Sequence, residues 1–363
     1  MKKILFIIPS LSGGGAERFV SLLSSHFATK GYEVRVLMFE EMTPFYKLDE
    51  RVVVKSVGYK IDRTNRIKSV VQIAWNVFHR AVVAVKKEIK DFLPNIVIPF
   101  LPQADIAVHL ASKGKRKYKI ICSERNDPLQ RSSAMQMLLK KIYRKTDFLV
   151  CQSETVAKYY SNVPNEKKRV IGNPVDPNLI PEASLESNEL KIVSAGRLDF
   201  QKNFSLLINS FADCIDLIPE NTKLIIYGEG REREQLKKLA KDRGVDSSVF
   251  LPGQNKNLLL SIKDAALFVM SSDFEGFPNA LLEAMVVGLP VVSTDFSTGT
   301  ARTLIGEKNG LIVPVRDQKA LSNAIVKLMN NKEQRAKMRT ANRMMLKTYS
   351  IETIAHEWEM LFG

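Results

Sequence analysis

Residues 2–38 read KKILFIIPSLSGGGAERFVSLLSSHFATKGYEVRVLM, and their hydrophobic pattern indicates the fold class. A short apolar run at 4–8 is followed by a helical pattern at 16–30, and after Gly31 a second apolar run covers 32–38. Short apolar runs are typical of buried parallel strands, and a longer amphipathic segment between them is typical of a crossover helix. The sequence therefore predicts β-α-β units, and hence a Rossmann-like parallel sheet covered by helices on both faces.

The same alternation continues over most of the chain and is interrupted once. Residues 172–189 contain three prolines and few large apolar side chains, which indicates a connecting segment. A length of 363 residues also suits two domains. We expect an N-terminal domain at 1–180, a second Rossmann-like domain at 181–347, and a last helix at 348–363 whose apolar stripe packs back toward the first domain. The other predicted strands are 52–57, 96–100, 119–122 and 148–151, then 191–195, 223–227, 249–251, 267–270 and 291–293.

The composition excludes several classes of protein. Hydrophobic residues make up 45% and charged residues 26%, as in an average soluble domain. Cys122, Cys151 and Cys214 are far apart and lack CxxC spacing, so neither a disulfide framework nor a zinc site is indicated. The histidines form no metal-binding pattern, and no uncharged apolar stretch reaches the ~18 residues that span a bilayer. We expect a cytoplasmic protein that binds no metal.

The net charge of +15 is confined to one half of the sequence. Residues 1–180 contain 31 Lys and Arg against 16 Asp and Glu, whereas 181–363 contain 23 of each. This excess favours an anionic partner for the first domain, either a membrane leaflet or a polyanion. A basic face that only confers solubility is the alternative. No RNA-binding motif supports nucleic acid as the partner.

Candidate ligand-binding residues follow predicted strands, where open parallel sheets bind their ligands. Gly14 and Gly15 stand at the start of the first helix, where glycines let backbone N–H groups approach an anion. Their spacing matches neither GxGxxG nor a P-loop, and a plain tight turn is the alternative. The first strand of the second domain is followed by Gly196, Arg197 and Lys202. A guanidinium and an ammonium on one loop suit the oxygens of a diphosphate.

Two glutamates eight residues apart form the third motif. The sequence SSDFEGFPNALLEAM at 271–285 places Glu275 before a helix that begins near Pro278, and Glu283 inside that helix. The neighbours of Glu283 are apolar, so a buried carboxylate there would need a partner such as two sugar hydroxyls. A glutamate on the solvated side of the helix is the alternative.

Taken together, these motifs resemble the retaining glycosyltransferases of family 4, also called glycosyl transferases group 1. The resemblance extends from residue 2 to about 346 and implies the GT-B fold, in which two Rossmann-like domains face a central cleft. The matching residues are the glycine-rich first loop, Gly196-Arg197 with Lys202, Gly228-Glu229-Gly230, and Glu275-x7-Glu283 followed by GLPVV at 288–292.

The resemblance also implies roles for individual residues. Arg197 and Lys202 would hold the donor diphosphate, Glu275 would contact the donor sugar and Glu283 the ribose hydroxyls. The loop with Gly14 and Gly15 would close over the phosphates. The remaining donor-binding candidates are Gly196, Gly276, Phe277 and Asn279.

The implied reaction transfers a hexose or N-acetylhexosamine from a UDP-sugar, the only small molecule required, with retention of configuration. The leaving phosphate helps to deprotonate the acceptor, and the two cations neutralise the departing diphosphate without a metal. The alternatives are a sugar-nucleotide epimerase on the same fold and a non-enzymatic basic protein that binds polyanions.

The sequence departs from the family pattern at two places. Many relatives have a histidine after the strand at 119–122, where this chain reads SERNDP. Glu124 and Arg125 are candidates for the missing sugar contact, and a structural ion pair is the alternative. Relatives also often have a glutamate after the strand at 291–293, where this chain offers Arg302 or Thr303.

The acceptor side is predicted from the basic half of the chain. Residues 63–91 combine an apolar face with cations, which suits either a membrane interface or packing on the sheet. Basic clusters at 113–119 and 140–145 add positive charge. We expect peripheral binding at the inner face of the cell membrane and a lipid-linked glycan acceptor, in the assembly of capsule, lipopolysaccharide O-antigen or a related surface polysaccharide.

Overall fold

The first apolar run of the sequence becomes an inner strand of a parallel sheet in the computed structural model, which describes residues 2–60, 72, 75–112, 114, 116–182 and 190–363. In strand β1 (Lys3–Ile8), Lys3 lies opposite Glu33 on one side and Ile4 lies opposite Ile96 on the other. The five residues from 4 to 8 are inaccessible to solvent. The strand is apolar throughout because helices cover both faces of a parallel sheet.

The chain forms two units, each built on one parallel sheet. Unit 1 consists of Met1–Pro174 and Ile351–Gly363, and unit 2 consists of Val175–Ser350. The division after Pro174 lies a few residues before the expected boundary at 180. It falls in the proline-rich segment 172–189, of which 183–189 lie outside the described residues.

Unit 1 has a seven-stranded sheet in the order β3-β2-β1-β4-β5-β6-β7. After β1, its strands are β2 (Glu33–Glu40), β3 (Val53–Tyr59), β4 (Ile96–Pro99), β5 (Lys119–Ser123), β6 (Phe148–Cys151) and β7 (Lys168–Val170). The helices are α1 (Gly15–Thr29), a π-helical turn (Val77–Ala81), α2 (Val82–Phe92), α3 (Pro102–Ala111), α4 (Ser133–Tyr143) and α5 (Glu154–Tyr159), with 3-10 turns at Pro128–Gln130 and Asn165–Lys167.

Unit 2 has a six-stranded sheet in the order β10-β9-β8-β11-β12-β13. The strands are β8 (Lys191–Ala195), β9 (Lys223–Tyr227), β10 (Val249–Gly253), β11 (Leu267–Met270), β12 (Val291–Thr294) and β13 (Gly310–Val313). The helices are α6 (Phe204–Cys214), α7 (Arg233–Asp242), α8 (Leu258–Ile262), α9 (Asn279–Val287), α10 (Thr300–Leu304), α11 (Gln318–Met329), α12 (Lys332–Arg343) and α13 (Met345–Tyr349), with 3-10 turns at Pro177–Leu179 and Ile215–Leu217.

The last helix, α14 (Ile351–Glu359), belongs to unit 1. Its Trp358 is fully buried and lies 5.7 Å from the ring of Phe19 in α1 and 6.2 Å from that of Phe100. The stripe of apolar residues in the final segment is therefore covered by the core of the first unit.

The predicted α/β class with two parallel sheets is confirmed, and so are most predicted strands. Two strands escaped prediction, β7 and β13. β7 is a three-residue, half-exposed edge strand that lacks an apolar run. β13 begins at Gly310, where a Cβ would lie 2.5 Å from Val291 Cγ2. Close packing on β12 therefore requires glycine at this position, although glycine weakens the sequence signal for a strand.

Among the described residues, none of the helices combines the length and hydropathy that crossing a membrane requires. Within the same part of the chain, His, Cys, Asp and Glu side chains form no group of three or more that would hold a metal ion.

Candidate functional site

Strand order brings two of the predicted motifs together in unit 2. The order changes direction between the neighbouring strands β8 and β11, and ligands bind at such a switch point, beside the carboxyl ends of the strands. β8 leads into the loop with Arg197 and Lys202, and β11 leads into the loop with Glu275. The candidate site of unit 2 is therefore built from both loops.

Glycines let the backbone of the Arg197 loop pack directly on the next loop. Leu198 N–H donates to the carbonyl of Glu229 at 2.9 Å. A Cβ on Gly228 would lie 1.8 Å from the carbonyl oxygen of Gly196, and one on Gly230 would lie 2.3 Å from that of Leu198. Because hydrogen bonds hold the backbone of both loops in place, only glycine fits at these positions.

Arg197 presents its guanidinium to solvent. The side chain is 76% exposed, and its Nη2 lies 3.6 Å from Asp199 Oδ2. At that distance and exposure the contact with Asp199 is weak. The planar donor fork is thus available to phosphate oxygens.

Lys202 and Glu275 form a partly buried ion pair with each other. Lys202 Nζ lies 2.6 Å from Glu275 Oε1, and the two side chains are 15% and 7% exposed. Ser272 Oγ donates to Oε1 at 2.8 Å, and Gln201 Nε2 donates to Oε2 at 3.2 Å. The resemblance implied separate partners for the two residues, a diphosphate and a sugar. The structure brings them together and adds Gln201 and Ser272 as supports.

A second carboxylate, Asp273, fixes the backbone next to Lys202. Asp273 Oδ1 accepts from Asn203 Nδ2 at 2.9 Å, and Oδ2 accepts from Arg316 Nε and Nη2 at 2.9 and 2.8 Å. Asn203 has a left-handed backbone (φ 45°), and its Oδ1 caps α6 by accepting from Leu206 N–H at 3.1 Å. Arg316 is also left-handed (φ 61°). Sequence reasoning missed Asp273 and Arg316, because no local signal connects residues so far apart in the chain.

Glu283 is buried in α9 and does not lie on the solvated side of the helix, the alternative considered from the sequence. Pro278 lies at the N-cap of this helix rather than in its first turn, and Asn279 is the first helical residue. Phe277 packs on Tyr349 at a ring distance of 6.4 Å. The Gly276 carbonyl accepts from Thr300 Oγ1 at 3.2 Å. The contacts of Gly276 and Phe277 thus hold the loop between Glu275 and the helix in place.

The two residues considered in place of the family glutamate make local contacts. Arg302 Nε lies 2.9 Å from both carboxylate oxygens of Asp295. Thr303 Oγ1 donates to the Gly299 carbonyl at 3.1 Å.

In unit 1 the glycine loop leads directly into α1. The helix begins at Gly15, with Gly14 at the N-cap. A Cβ on Gly14 would lie 2.4 Å from Glu17 Oε2, so the carboxylate of the first helical turn lies against this loop. Gly13 has a φ of 104° and faces the ring of Phe45. An anion bound at this helix N-terminus would have to displace Glu17.

Glu124 and Arg125 are buried and make contacts inside unit 1. Glu124 pairs with Arg131, whose Nη2 lies 2.6 Å from Oε1, and not with Arg125. Tyr160 Oη also donates to Glu124 Oε2 at 2.5 Å. These contacts favour the structural alternative for Glu124 over a sugar contact.

Arg125 is held by aromatic and amide groups instead of a carboxylate. Its Nη1 donates to Asn173 Oδ1 at 2.7 Å, and its guanidinium lies 3.9 Å from the ring centroid of Phe19. Burial lowers the pKa of Arg125 to about 9, so it remains charged at neutral pH. Its position between β5, α1 and the segment before unit 2 favours a structural role.

A cavity of about 400 Å³ in unit 1 was not foreseen from the sequence. Asp105 lines it, fully buried, and accepts from Tyr143 Oη at 3.0 Å. Burial, reinforced by the negative charge of Glu124, raises the pKa of Asp105 well above its usual range. The other lining residues are Val108, His109, Ser112, Gly114, Arg116, Ile120, Cys122, Ile142, Lys145 and Thr146.

Parts of two predicted basic surfaces lie outside the described residues. These are residues 63–71, 73 and 74 of the stretch at 63–91, and Lys113 and Lys115 of the cluster at 113–119. The cluster at 140–145 is fully described.

The comparisons with known proteins agree with this geometry. Residues 13–179 match the model of Glycosyltransferase Family 4, and residues 176–345 match that of Glycosyl transferases group 1. A solved structure of an S. aureus TarM mutant in complex with Fondaparinux, alpha-GlcNAc-glycerol and UDP superimposes with a TM-score of 0.81 at 17% identity, over 100% of both chains. That likeness establishes the GT-B fold.

Two relatives from Campylobacter jejuni align over almost the whole chain. One is named GalNAc-alpha-(1->4)-GalNAc-alpha-(1->3)-diNAcBac-PP-undecaprenol alpha-1,4-N-acetyl-D-galactosaminyltransferase and is 26% identical over 100% of this chain and 99% of its own. The other is N-acetylgalactosamine-N,N'-diacetylbacillosaminyl-diphospho-undecaprenol 4-alpha-N-acetylgalactosaminyltransferase, 26% identical over 98% of each chain.

Proposed function

Because the two halves of this chain belong to the families Glycosyltransferase Family 4 and Glycosyl transferases group 1, we propose that it is a retaining, metal-independent transferase that moves a hexose or N-acetylhexosamine from a UDP-sugar to a lipid-linked glycan. The proposal depends mainly on one observation. The exposed guanidinium of Arg197 and the ion pair of Lys202 with Glu275 lie on two adjacent loops at the switch point of unit 2.

The chemistry of the leaving group explains why cations are needed there. When the bond between the sugar C1 and the diphosphate oxygen breaks, negative charge accumulates on the diphosphate. Arg197 supplies a planar fork of donors and Lys202 a compact charge, and both side chains lie on the loop after β8. A donor diphosphate bound near Lys202 would compete with Glu275 for the ammonium group.

Retention follows if the acceptor attacks from the face that the diphosphate leaves. The acceptor oxygen bonds to C1, and its proton passes to an oxygen of the departing diphosphate, so no protein base is consumed. The names of both Campylobacter jejuni relatives specify an alpha linkage, which is the product of retention from an alpha-linked donor.

A lipid-linked acceptor is supported by two independent features. Both relatives are named for acceptors on undecaprenol diphosphate. The excess of positive charge lies entirely within residues 1–180, which suits a protein at an anionic leaflet. We therefore place the enzyme at the inner face of the cell membrane, in surface-polysaccharide assembly.

The first test is a donor screen with the purified protein. UDP-GlcNAc, UDP-GalNAc, UDP-Glc, UDP-Gal and GDP-Man are each incubated with lipid extract, with and without EDTA. We expect transfer from one UDP-sugar that survives EDTA. Release of an altered free sugar nucleotide would indicate an epimerase, and no binding or turnover of any donor would contradict a transferase.

Variants of the site separate its chemistry from its stability. Lys202→Gln removes a cation and should lower kcat by about 10²- to 10³-fold. Because this change leaves the buried Glu275 unpaired, the double variant Lys202→Gln/Glu275→Gln should fold better than the single variant and be no more active. Glu283→Ala should weaken donor binding. Lys238→Gln, at an exposed position of α7, is the matched control and should retain wild-type activity.

A further inference from the structure

The cavity of unit 1 is lined by α3, β5 and the end of α4, and it opens at the amino edge of the sheet. Both helices run from the carboxyl end of one strand to the amino end of the next parallel strand. Two lining residues, the half-buried Ser112 and the exposed Lys145, follow the ends of these helices and mark the opening. The glycine loop after β1 lies at the opposite, carboxyl edge. The opening is therefore remote from the loop considered above as an anion site.

The closed end of the cavity contains a polar atom without a partner. Asp105, in the first turn of α3, lines the cavity and is 1% exposed. Its Oδ2 accepts from Tyr143 Oη at 3.0 Å, whereas Oδ1 has no partner with hydrogen-bond geometry among the described residues. The Cys122 thiol also lies near the carboxyl, but a thiol is only a weak donor. A buried polar atom without a partner is costly, so a ligand that satisfies Oδ1 gains affinity.

The carboxyl of Asp105 acts as a hydrogen-bond donor toward the cavity. Burial raises its pKa well above the usual range, so the group is neutral in the folded protein. Because Oδ2 already accepts from Tyr143, the carboxyl proton belongs on Oδ1. The group that complements Oδ1 is therefore a neutral oxygen acceptor, such as a hydroxyl or a carbonyl.

The walls between the closed end and the opening are apolar. Val108, Ile120 and Ile142 line them and are buried. Asp105 and Ser112 are seven residues apart on α3, which separates the two ends by about 10 Å at ~1.5 Å per residue. The volume of about 400 Å³ equals that of roughly thirteen water molecules at ~30 Å³ each. A fitting occupant is thus about 10 Å long, with on the order of a dozen non-hydrogen atoms.

The lysine and the arginine at the opening carry one unbalanced positive charge. Lys145 has no ion-pair partner among the described residues. Arg116, which also lines the cavity, is balanced by Asp147, whose Oδ2 lies 2.5 Å from its Nη2. One net charge suits a monoanion such as a carboxylate better than a dianionic phosphate.

We propose that this cavity binds a small amphipathic carboxylate, with the carboxylate on Lys145, the apolar body against the walls, and an oxygen acceptor at its far end on Asp105 Oδ1. A different observation supports each contact: the unbalanced charge, the apolar lining and the buried oxygen without a partner. The inference does not depend on the proposed transferase activity, because the cavity contains none of the residues assigned to the donor.

Titration calorimetry on the full-length protein tests the site with three probes. The first, 8-hydroxyoctanoate, has all the required features, whereas octanoate lacks the far oxygen and 1,8-octanediol lacks the carboxylate. We expect 8-hydroxyoctanoate to bind about tenfold more tightly than either of the other two probes, because each lacks one polar contact. Binding of none of the probes, or equal affinity for all three, would overturn the proposal.

A pair of lysine variants tests the opening. Lys145→Gln should bind 8-hydroxyoctanoate no better than 1,8-octanediol, because the carboxylate loses its cation. Lys141→Gln is the matched control, since this lysine is exposed on the same helix and does not line the cavity. The control should bind all three probes like the wild type. Equal losses in the two variants would mean that general positive charge attracts the anion, which contradicts the proposed site.

A double variant tests the closed end. Asp105→Leu/Tyr143→Phe removes the carboxyl and its hydroxyl partner together, so neither is left buried and unpaired. This variant should bind octanoate and 8-hydroxyoctanoate with equal affinity. If it kept the preference for the hydroxylated probe, the far oxygen would bind elsewhere and the proposal would fail.

A cavity-filling variant provides a test that does not require the double variant to fold. Cys122→Leu enlarges a buried side chain beside Asp105. It should weaken the binding of octanoate and 8-hydroxyoctanoate about tenfold or more, because it occupies their volume. Unchanged binding of both probes would place them outside the cavity and overturn the proposal.

Discussion

At the residue scale, two buried carboxyls of unit 1 respond in opposite ways to their surroundings. Burial raises the pKa of Asp105 well above its usual range, and the nearby charge of Glu124 adds to the effect. Burial also acts to raise the pKa of Glu88, but Lys55 and Arg35 outweigh it and the pKa is lowered. The two pKa values shift in opposite directions because the carboxyls have different neighbours. Asp105 accepts a hydrogen bond from the neutral Tyr143, whereas Glu88 has two cations within 2.8 Å.

Asp105→Asn should therefore become more stabilising, relative to the wild type, as pH rises. In the unfolded chain Asp105 ionises near pH ~3.9, whereas in the folded protein it stays protonated to much higher pH. Its contribution to stability is complete below the unfolded pKa and is lost as pH rises toward the folded pKa, by up to about 1.4 kcal/mol per pH unit. Urea unfolding of both proteins across this range measures the difference.

Glu88→Gln is a control in which the stability difference from the wild type should change with pH in the opposite direction. Its carboxylate contributes stability above the unfolded pKa of about 4.3, and that contribution is lost as pH falls. Glu88→Gln should thus be least stable, relative to the wild type, at neutral pH. A pH-independent difference for Asp105→Asn would show that Asp105 is ionised in the folded protein.

At the scale of elements, the site of unit 2 depends on how closely two loops pack. The turn after β9 lies against the Arg197 loop backbone to backbone, and Gly228 has a φ of 144°. Three backbone hydrogen bonds fix the arrangement, each of 2.9 Å: Gly196 to Tyr227, Leu198 to Glu229 and Gly228 to Gly253. The glycines on which the family resemblance rests therefore allow the two loops to pack backbone to backbone.

Gly228→Ala should destabilise the protein by about 2–4 kcal/mol, since overpacking and backbone strain add up. It should also weaken UDP binding, because the Arg197 loop must shift. Gly244→Ala is the matched control, as Gly244 also has a positive φ (70°) but no atoms within 4 Å of an added Cβ. The control should lose only about 1 kcal/mol and bind UDP normally. Equal effects of the two substitutions, in urea unfolding and UDP titration, would refute the packing argument.

At the scale of the whole molecule, the chain returns to its first unit after completing the second. Trp358 of α14 packs on Phe19 and Phe100, and Phe362 lies 5.2 Å from the ring of Phe27. Lys2 Nζ donates to the carbonyl of Phe362 at 2.9 Å. Aromatic residues of α1 and of the segment 358–362 thus share one core, and the stability of unit 1 depends on α14 and the residues after it.

Trp358→Ala should cost unit 1 about 3–5 kcal/mol, because it removes a fully buried aromatic side chain. Hydrogen exchange should show faster opening of β1 and α1 while β8 and β9 remain protected. Trp75, the other tryptophan, is 63% exposed, so Trp75→Ala should change stability by about 0.5 kcal/mol or less. Uniform loss of protection in both units would show that they unfold together.

The sequence predicted those parts of the fold that depend on local residue patterns. The strands at 148–151, 191–195, 223–227 and 267–270 were predicted with their observed limits, because buried strands are short apolar runs bounded by turns. Edge strand β7 has no such run and was missed, and β13, whose apolar run is only three residues after Gly310, was missed as well.

The α/β class, the family and the residue types of the site can be predicted from the sequence alone, because they depend on periodicity and on short motifs. Which of those residues contact one another depends on the tertiary fold. Lys202 pairs with Glu275 because β8 and β11 are neighbours in the sheet. Asp273, after β11, pairs with Arg316, after β13, and Glu124 pairs with Arg131 instead of Arg125. Strand order arises from the packing of the whole chain, and no local pattern encodes it.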